Sequence, residues 1–544
     1  MKKICLFLCL LTAAVSGWSA SVPDNMYFHA MKDEMKRSLK KLRMKDNPKP
    51  YYIAYKLKNS YSQVWSANLG GEYAAASSAP NLEISAVLAV GSAKEDNLGF
   101  EGDRFYYQPS QMGYIPQSYW GIRHALWQMS NQEFLAAVDS YKKKQTYKEQ
   151  KQIKQDYPDF ASAKQATFVE EIPAFAKLPD EPLQAMVTRL SAKGKGVDYL
   201  NRFGVNIVNE QADEYYLNSD GGLYQLCRKN MYVSFSAEFY NQAGYLSQFS
   251  KVYPLPAGVV PNEQELSQQA DEVLRELDQM YRAKKVEQPY LGPVLLTPRA
   301  AVSFLEDLFV ADMNHVTPLL QITGAEDPTA GAFRNKEGMR VMSNVVEAYD
   351  KPLEREYRGI TLQGFMPVDD EGVRPQELKL VSSGRLLNLP LSRRAGKKNL
   401  PSNGHARMGD KTYPREALSN VFITAKNPLS QEELEAKLLA RCRELELEYG
   451  YILHEFQPGQ KVLQAERIYT ADGRREPVFF FEPVGLNARA LRDILAAGAD
   501  DKMYALMDVY GRKYSLVAPS LLVDETELTV REQTPDRKPL IAKP

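Results

Sequence analysis

Cysteine is scarce in this chain: there are four in 544 residues, and Cys5 and Cys9 fall within the first ten. Only Cys227 and Cys442 lie beyond them, so a disulfide-stapled scaffold is excluded and at most one bridge can form. No Cys-x-x-Cys occurs, and the five histidines (His29, His124, His315, His405 and His454) are scattered. A Gly-x-Ser-x-Gly elbow is missing, and "AKGKGV" at 192–197 lacks both the spacing and the Ser/Thr of a phosphate-cradling loop. Charge of one sign is missing as well. Lys+Arg and Asp+Glu both number 68, which argues against a strongly basic nucleic-acid footprint. No stretch past the N-terminus is apolar for 18 residues, so no membrane span is expected.

What is there begins with an export pattern. "MKK" is a positive n-region, "ICLFLCLLTAAV" an apolar run too short to span a bilayer, and "SGWSA" supplies small residues for cleavage. Residues 1–20 therefore read as a signal peptide, and the mature chain as periplasmic or extracellular. The remaining composition, 44% hydrophobic and 25% charged, is that of a globular protein of more than one domain.

A helix is expected first, with Phe28, Met31, Met35, Leu39 and Leu42 at spacings of three and four. "PYYIAYKLKN", "SQVWSANLG" and "LEISAVLAVG" read as strands. Ser130 and Glu133 form a capping-box pattern before a Lys/Gln/Glu-rich stretch that reads as an exposed helical arm ending at Pro158. "LNSDGGLYQL" reads as strand, Gly-Gly turn and strand. Asn262 with Glu265, and Ser430 with Glu433, open two further amphipathic helices, the second carrying Cys442 on its apolar face as a buried thiol. The expected fold is α+β. An α/β N-terminal domain at 21–285, with a helical insertion at 95–195, precedes a mostly β domain at 286–544.

Candidate chemistry is thin. "RAAVSFLEDLFVADMNH" opens a helix after the strand-like "GPVLLTP", with Thr297 as cap and Pro298 at its first position. On it Glu306 and Asp307 stand about 100° apart, and Asp312 and His315, three apart, can share a face. Such carboxylates suit a hard cation such as Mg²⁺ or Ca²⁺, or form the polar edge of a core helix. Asp369, Asp370 and Glu371 before Gly372 read either as cation ligands or as a solvated turn. Ser402 and His405 in "SNGHAR" read either as nucleophile and base or as flanks of an Asn403-Gly404 turn.

"YLGPVLLTPRAAVSFLEDLF", the "DDEG" core paired with "SSGRLLNLPLSRR", "NLPSNGHARMG" and the ending "VAPSLLVDETELTV" together resemble the TldD/PmbA family of peptidase-like proteins. The resemblance implies a metal-site helix at 299–315 and a binding role for Asp369, Asp370, Glu371, Asn403, Gly404 and His405. In the family's catalytic members a His-Glu-x-x-x-His helix and a cysteine near the C-terminus hold zinc. Carried over, those helix positions fall on Glu306, Asp307 and Ala311, and no cysteine follows Cys442. Zinc prefers imidazole and thiolate, so no cofactor is expected unless the site is rearranged. The resemblance therefore implies a non-catalytic subunit. Its partners would be an extended peptide and a second copy or a zinc-bearing relative. Two alternatives remain open: a metallopeptidase with a rearranged acidic site, and an envelope scaffold using the 130–158 arm.

Overall fold

The computed structural model describes residues 24–73, 76–101, 110–111, 115–394, 400–409, 412–455, 462–480, 482–483 and 488–530. The expected signal segment lies outside them.

Five long strands make up most of the first sheet, in the order Leu246–Pro254, Leu223–Tyr240, Leu200–Asn218, Pro50–Asn68 and Ala76–Ser92, each antiparallel to its neighbour. The two strands expected at 50–69 are one strand of 19 residues. Its side chains alternate between faces, and the alternation organises the whole half. Ile53, Tyr55, Leu57, Trp65 and Ala67 point to one face, packed beneath helices α1 (Met26–Lys41), α2 (Tyr119–Gln150), α3 (Asp180–Ala192) and α4 (Glu263–Arg282). Tyr52, Ala54, Lys56 and Lys58 point to the other face, toward segments from the second half of the chain.

Helix α2 differs from expectation. It starts at Tyr119, capped by the Ser118 hydroxyl on Gly121 N–H, so Ser130 and Glu133 sit in its interior. Both are buried; Ser130 meets the Tyr55 hydroxyl and Glu133 accepts from Tyr413 at 2.8 Å. The lysine-rich stretch is not a free arm either. Lys144 is fully buried, 2.9 Å from Asp159 and 3.5 Å from Asp96, and Lys148 lies close to Asp159 and Glu95. Those partners are distant in sequence, which is why the local pattern read as solvated.

Two further sheets use strands from 284–529. One carries Tyr290–Leu296 between Tyr449–Glu455 and Leu521–Thr529; the other runs Leu378–Ser382, Val346–Asp350, Asn420–Ala425, Lys513–Ala518 and Lys502–Met507. Helix α5 (Pro298–Leu305) contributes Ala300, Ala301, Val302, Phe304 and Leu305 to the core these sheets share. The chain then passes through a π-turn (Glu306–Val310) and a short helix α6 (Ala311–Met313). Helix α7 (Gln431–Glu444) has the expected Ser430–Glu433 capping box and buries Cys442, whose thiol is free, as is that of Cys227. Among the described residues no helix is long and apolar enough to cross a membrane.

Candidate functional site: a cleft between sheet and loops

The polar face of the first sheet and the loops of the second half enclose a cleft of about 250 Å³. The strand register lines up its charges: Lys58 lies opposite Glu83 on one neighbouring strand and opposite Glu214 on the other. Arg228 donates to Glu214 at 3.0 Å and to the Phe365 carbonyl at 2.8 Å. Lys56 reaches Asp370 at 3.1 Å and stands 3.8 Å from Glu214. Burial opposes ionisation of Glu214, but Arg228, Lys56 and Lys58 outweigh it and hold the carboxyl down at about 2. Burial likewise opposes charge on Lys56, and Asp370 and Glu214 reverse the effect, leaving its ammonium above the usual lysine range. Arg407, also on the cleft wall, donates among the described residues to the Leu418 and Lys513 carbonyls, at 2.8 and 2.6 Å. Burial, with Arg228 and Arg512 close by, brings its guanidinium down to about 10.

Asp369, Asp370 and Glu371 are all buried, so the reading of a solvated turn is corrected. Asp369 accepts from the Glu371, Val373 and Ala406 amides at 2.7–3.1 Å. Asp370 accepts from Lys56, from the Tyr224 hydroxyl at 2.8 Å and from the Met408 amide at 2.7 Å. Glu371 accepts from the Arg393 amide. Burial raises Asp369 and Glu371 well above the usual carboxylate range. These acids tie the 369–373 turn to the 403–408 loop and to the first sheet, and of the three Asp370 lines the cleft. Behind them Gly372 approaches Gly222 so closely that a Cβ on Gly222 would stand 2.6 Å from Gly372 Cα. Gly372 also has φ +83°, where side chains are strained.

The 403–405 residues are structural. The Asn403 side chain accepts from the Leu391 amide and donates to the Leu389 carbonyl. Gly404, at φ +80°, packs against Pro375. His405 is fully buried, its Nδ1 at 2.9 Å from Asn403 Oδ1 and its Nε2 at 3.2 Å from Asp350 without hydrogen-bond alignment. Ser402 donates to the Leu391 carbonyl and turns to backbone, so no nucleophile–base pair exists there.

The π-turn governs the family's metal position. In an α-helix, residues five apart lie about 140° from one another. Here the Ala311 amide donates back to the Glu306 carbonyl, five residues earlier, which brings positions 306 and 311 over one another. Positions 306 and 311, where the resemblance places the two histidines, therefore face one side and carry Glu and Ala. Glu306 accepts from the Tyr514 hydroxyl at 2.7 Å, and burial, the larger effect, leaves its carboxyl above the usual range. Asp307 is largely exposed, its carboxyl raised somewhat by partial burial, and Ala311 offers no donor. This set does not fit zinc. Asp312 and His315 do not share a helical face, because the helix ends at Met313 and His315 adopts φ +54°. His315 is buried with Nε2 2.9 Å from an Arg512 nitrogen; burial, then Arg512 and Arg415, hold it well below the usual histidine range. Among the described residues no three His, Cys, Asp or Glu side chains converge as a metal site.

Sequence reasoning missed Lys56, Glu214, Arg228 and Arg407. For Lys56, Glu214 and Arg228 the signal was present as charged residues recurring at every second position of long strands, as in "YKLKN"; Arg407, on a two-residue strand, carried no such signal.

No curated protein matches the chain. Among solved structures it is similar to TldE from Thermococcus kodakarensis, at 12% identity and a TM-score of 0.63, covering 92% of this chain and 99% of that one. It is also similar to a candidate modulator of DNA gyrase from Bacteroides thetaiotaomicron, at 13% identity and a TM-score of 0.59, covering 93% and 99%. A third, a candidate modulator of a DNA gyrase from Thermotoga maritima, gives 14% identity, a TM-score of 0.57 and coverage of 88% and 96%. These likenesses concern the fold. Residues 290–530 match the PmbA/TldA metallopeptidase C-terminal domain, the region that holds the π-turn, the buried acids and the 403–408 loop, and through it the chain belongs to the TldD/PmbA family.

Proposed function

We propose that this chain is an exported, zinc-free member of its family that binds an extended peptide and works as a partner subunit, with itself or with a zinc-bearing relative. The observation that carries the reading is the π-turn at 306–310. It keeps the family's ligand positions stacked while presenting Glu306, Asp307 and Ala311, one of them already engaged by Tyr514. The polar cleft between the first sheet and the second-half loops gives an extended segment a place to lie, with backbone and charged groups on both walls.

The test is elemental analysis and peptide assay of the purified chain freed of residues 1–20. The expected result is no stoichiometric metal, no chelator-sensitive cleavage of an unfolded peptide, and measurable binding of that peptide. One metal per chain, lost in Asp307→Ala together with cleavage, would instead establish an acidic-site metallopeptidase. Light scattering of the chain alone and mixed with a zinc-bearing relative reads the partner role directly.

A further inference from the structure

Among the described residues Arg407 lines the cleft without a direct carboxylate partner, although Asp370 and Asp508 lie near enough to act on its charge. Arg228 is matched by Glu214, Lys56 by Asp370, Lys513 by Glu210 at 3.3 Å, and Arg512 by Asp508. Lys58 stands between Glu83 and Glu214 in the register. Arg407 is over nine-tenths buried and, among the described residues, makes no ion pair with a carboxylate. Its two hydrogen bonds to backbone carbonyls fix the guanidinium plane and leave other N–H groups for the cleft. A buried guanidinium without a directly paired carboxylate is costly, and the cost falls when an anion binds it. The fork geometry selects a planar, two-oxygen acceptor.

From this arrangement we propose that Arg407 is a carboxylate-recognition residue: the cleft takes a peptide through a carboxylate, which pairs with Arg407 while Lys58 and Arg228 frame the rest. The inference rests on the peptide-binding reading above and names its substrate class. Two sources share this chemistry, the C-terminal carboxylate of the peptide and an Asp or Glu side chain. The volume of the cleft suits an end residue or a single acidic side chain rather than a folded partner.

The experiment is fluorescence anisotropy on the whole chain with three labelled unstructured hexapeptides. The first is Gly/Ser-based with a free C-terminus, the second is the same peptide amidated, and the third is amidated but carries one internal Glu. At least one carboxylate-bearing peptide is expected to bind about tenfold or more tighter than the neutral amide. Preference for the free end identifies a chain terminus as the ligand, and preference for the internal Glu an acidic side chain. Arg407→Gln is expected to erase that difference between carboxylate-bearing and neutral peptides. Equal binding of all three peptides overturns the inference but leaves peptide binding standing, and so does a preference that survives Arg407→Gln. If no peptide binds, both fall. Should Arg407→Gln fail to fold, the comparison among peptides on the unmodified chain decides by itself.

Discussion

Lys56 and Asp370, 314 residues apart in the chain, meet at 3.1 Å and join the first sheet to the 369–373 turn. Both side chains are largely withdrawn from water, so neither can be removed without stranding the other. Asp370→Asn should lower stability by about 3–5 kcal/mol, and Lys56→Met by a similar amount. Denaturant unfolding of the two single variants and the double variant checks this. A double variant no worse than either single one is the signature of a direct pair.

Gly372→Ala is expected to be among the most damaging single-atom changes in the chain. The new Cβ would stand 2.1 Å from the Gln165 side-chain oxygen and 2.5 Å from the Asn218 side-chain nitrogen, at a positive φ. A loss of about 3 kcal/mol or more is expected, seen as a lowered Tm and early proteolysis between the two halves. Gly338→Ala, at a positive φ with open space around it, is the control for backbone strain alone.

The fold was legible wherever neighbours in sequence set the structure. The Ser430–Glu433 box, the apolar stripe of α1 and the Gly-Gly hairpin at 219–222 are all local, and all are present as expected. Ser130 and Glu133 carry the same local pattern as Ser430 and Glu433, yet sit mid-helix, because their partners Tyr55 and Tyr413 lie 75 and 280 residues away. The acids at 369–371 misled for the same reason. Their burial depends on Lys56, Ala406 and Met408, none of which a turn-level reading can supply.

Glu133 makes stability fall as pH rises from the ordinary carboxylate range to about 8. Burial, eased only in part by the Tyr413 hydroxyl, lifts its carboxyl to about 8. Between the ordinary carboxylate range and that value the folded chain holds a proton that the unfolded chain has released, so stability declines as pH rises through this window. Glu133→Gln should remove the decline and stabilise the chain on the order of a few kcal/mol at pH 9, with little effect near pH 4. Tm measured against pH for both forms decides it.

His315 acts in the opposite direction. Its folded form stays neutral, so below about pH 6.5 the unfolded chain gains a proton that the folded chain refuses. Stability should therefore drop as pH falls through 6.5. A His315→Gln variant, even if weaker at neutral pH, should show a shallower acid slope in the same Tm series.

The π-turn also predicts that zinc affinity can be installed. Glu306→His with Ala311→His, read together with Asp307→Glu, places two imidazoles on stacked positions. Zinc titration by calorimetry should show one chelator-reversible site per chain in the triple variant and none in the parent. A variant that folds without binding zinc would show that the stacking does not bring these positions within ligand reach.

The alternation along Pro50–Asn68 and its neighbours has a consequence for how such a protein changes over time. Ile53, Tyr55, Leu57, Trp65 and Ala67 are committed to the helices above, and Lys56, Lys58, Ser60 and Ser62 to the cleft below, on one continuous backbone. A residue on the wet side can be exchanged for another of different charge without altering the volume sealed beneath the helices. The guest the cleft accepts is thereby separable from the stability of the sheet that presents it.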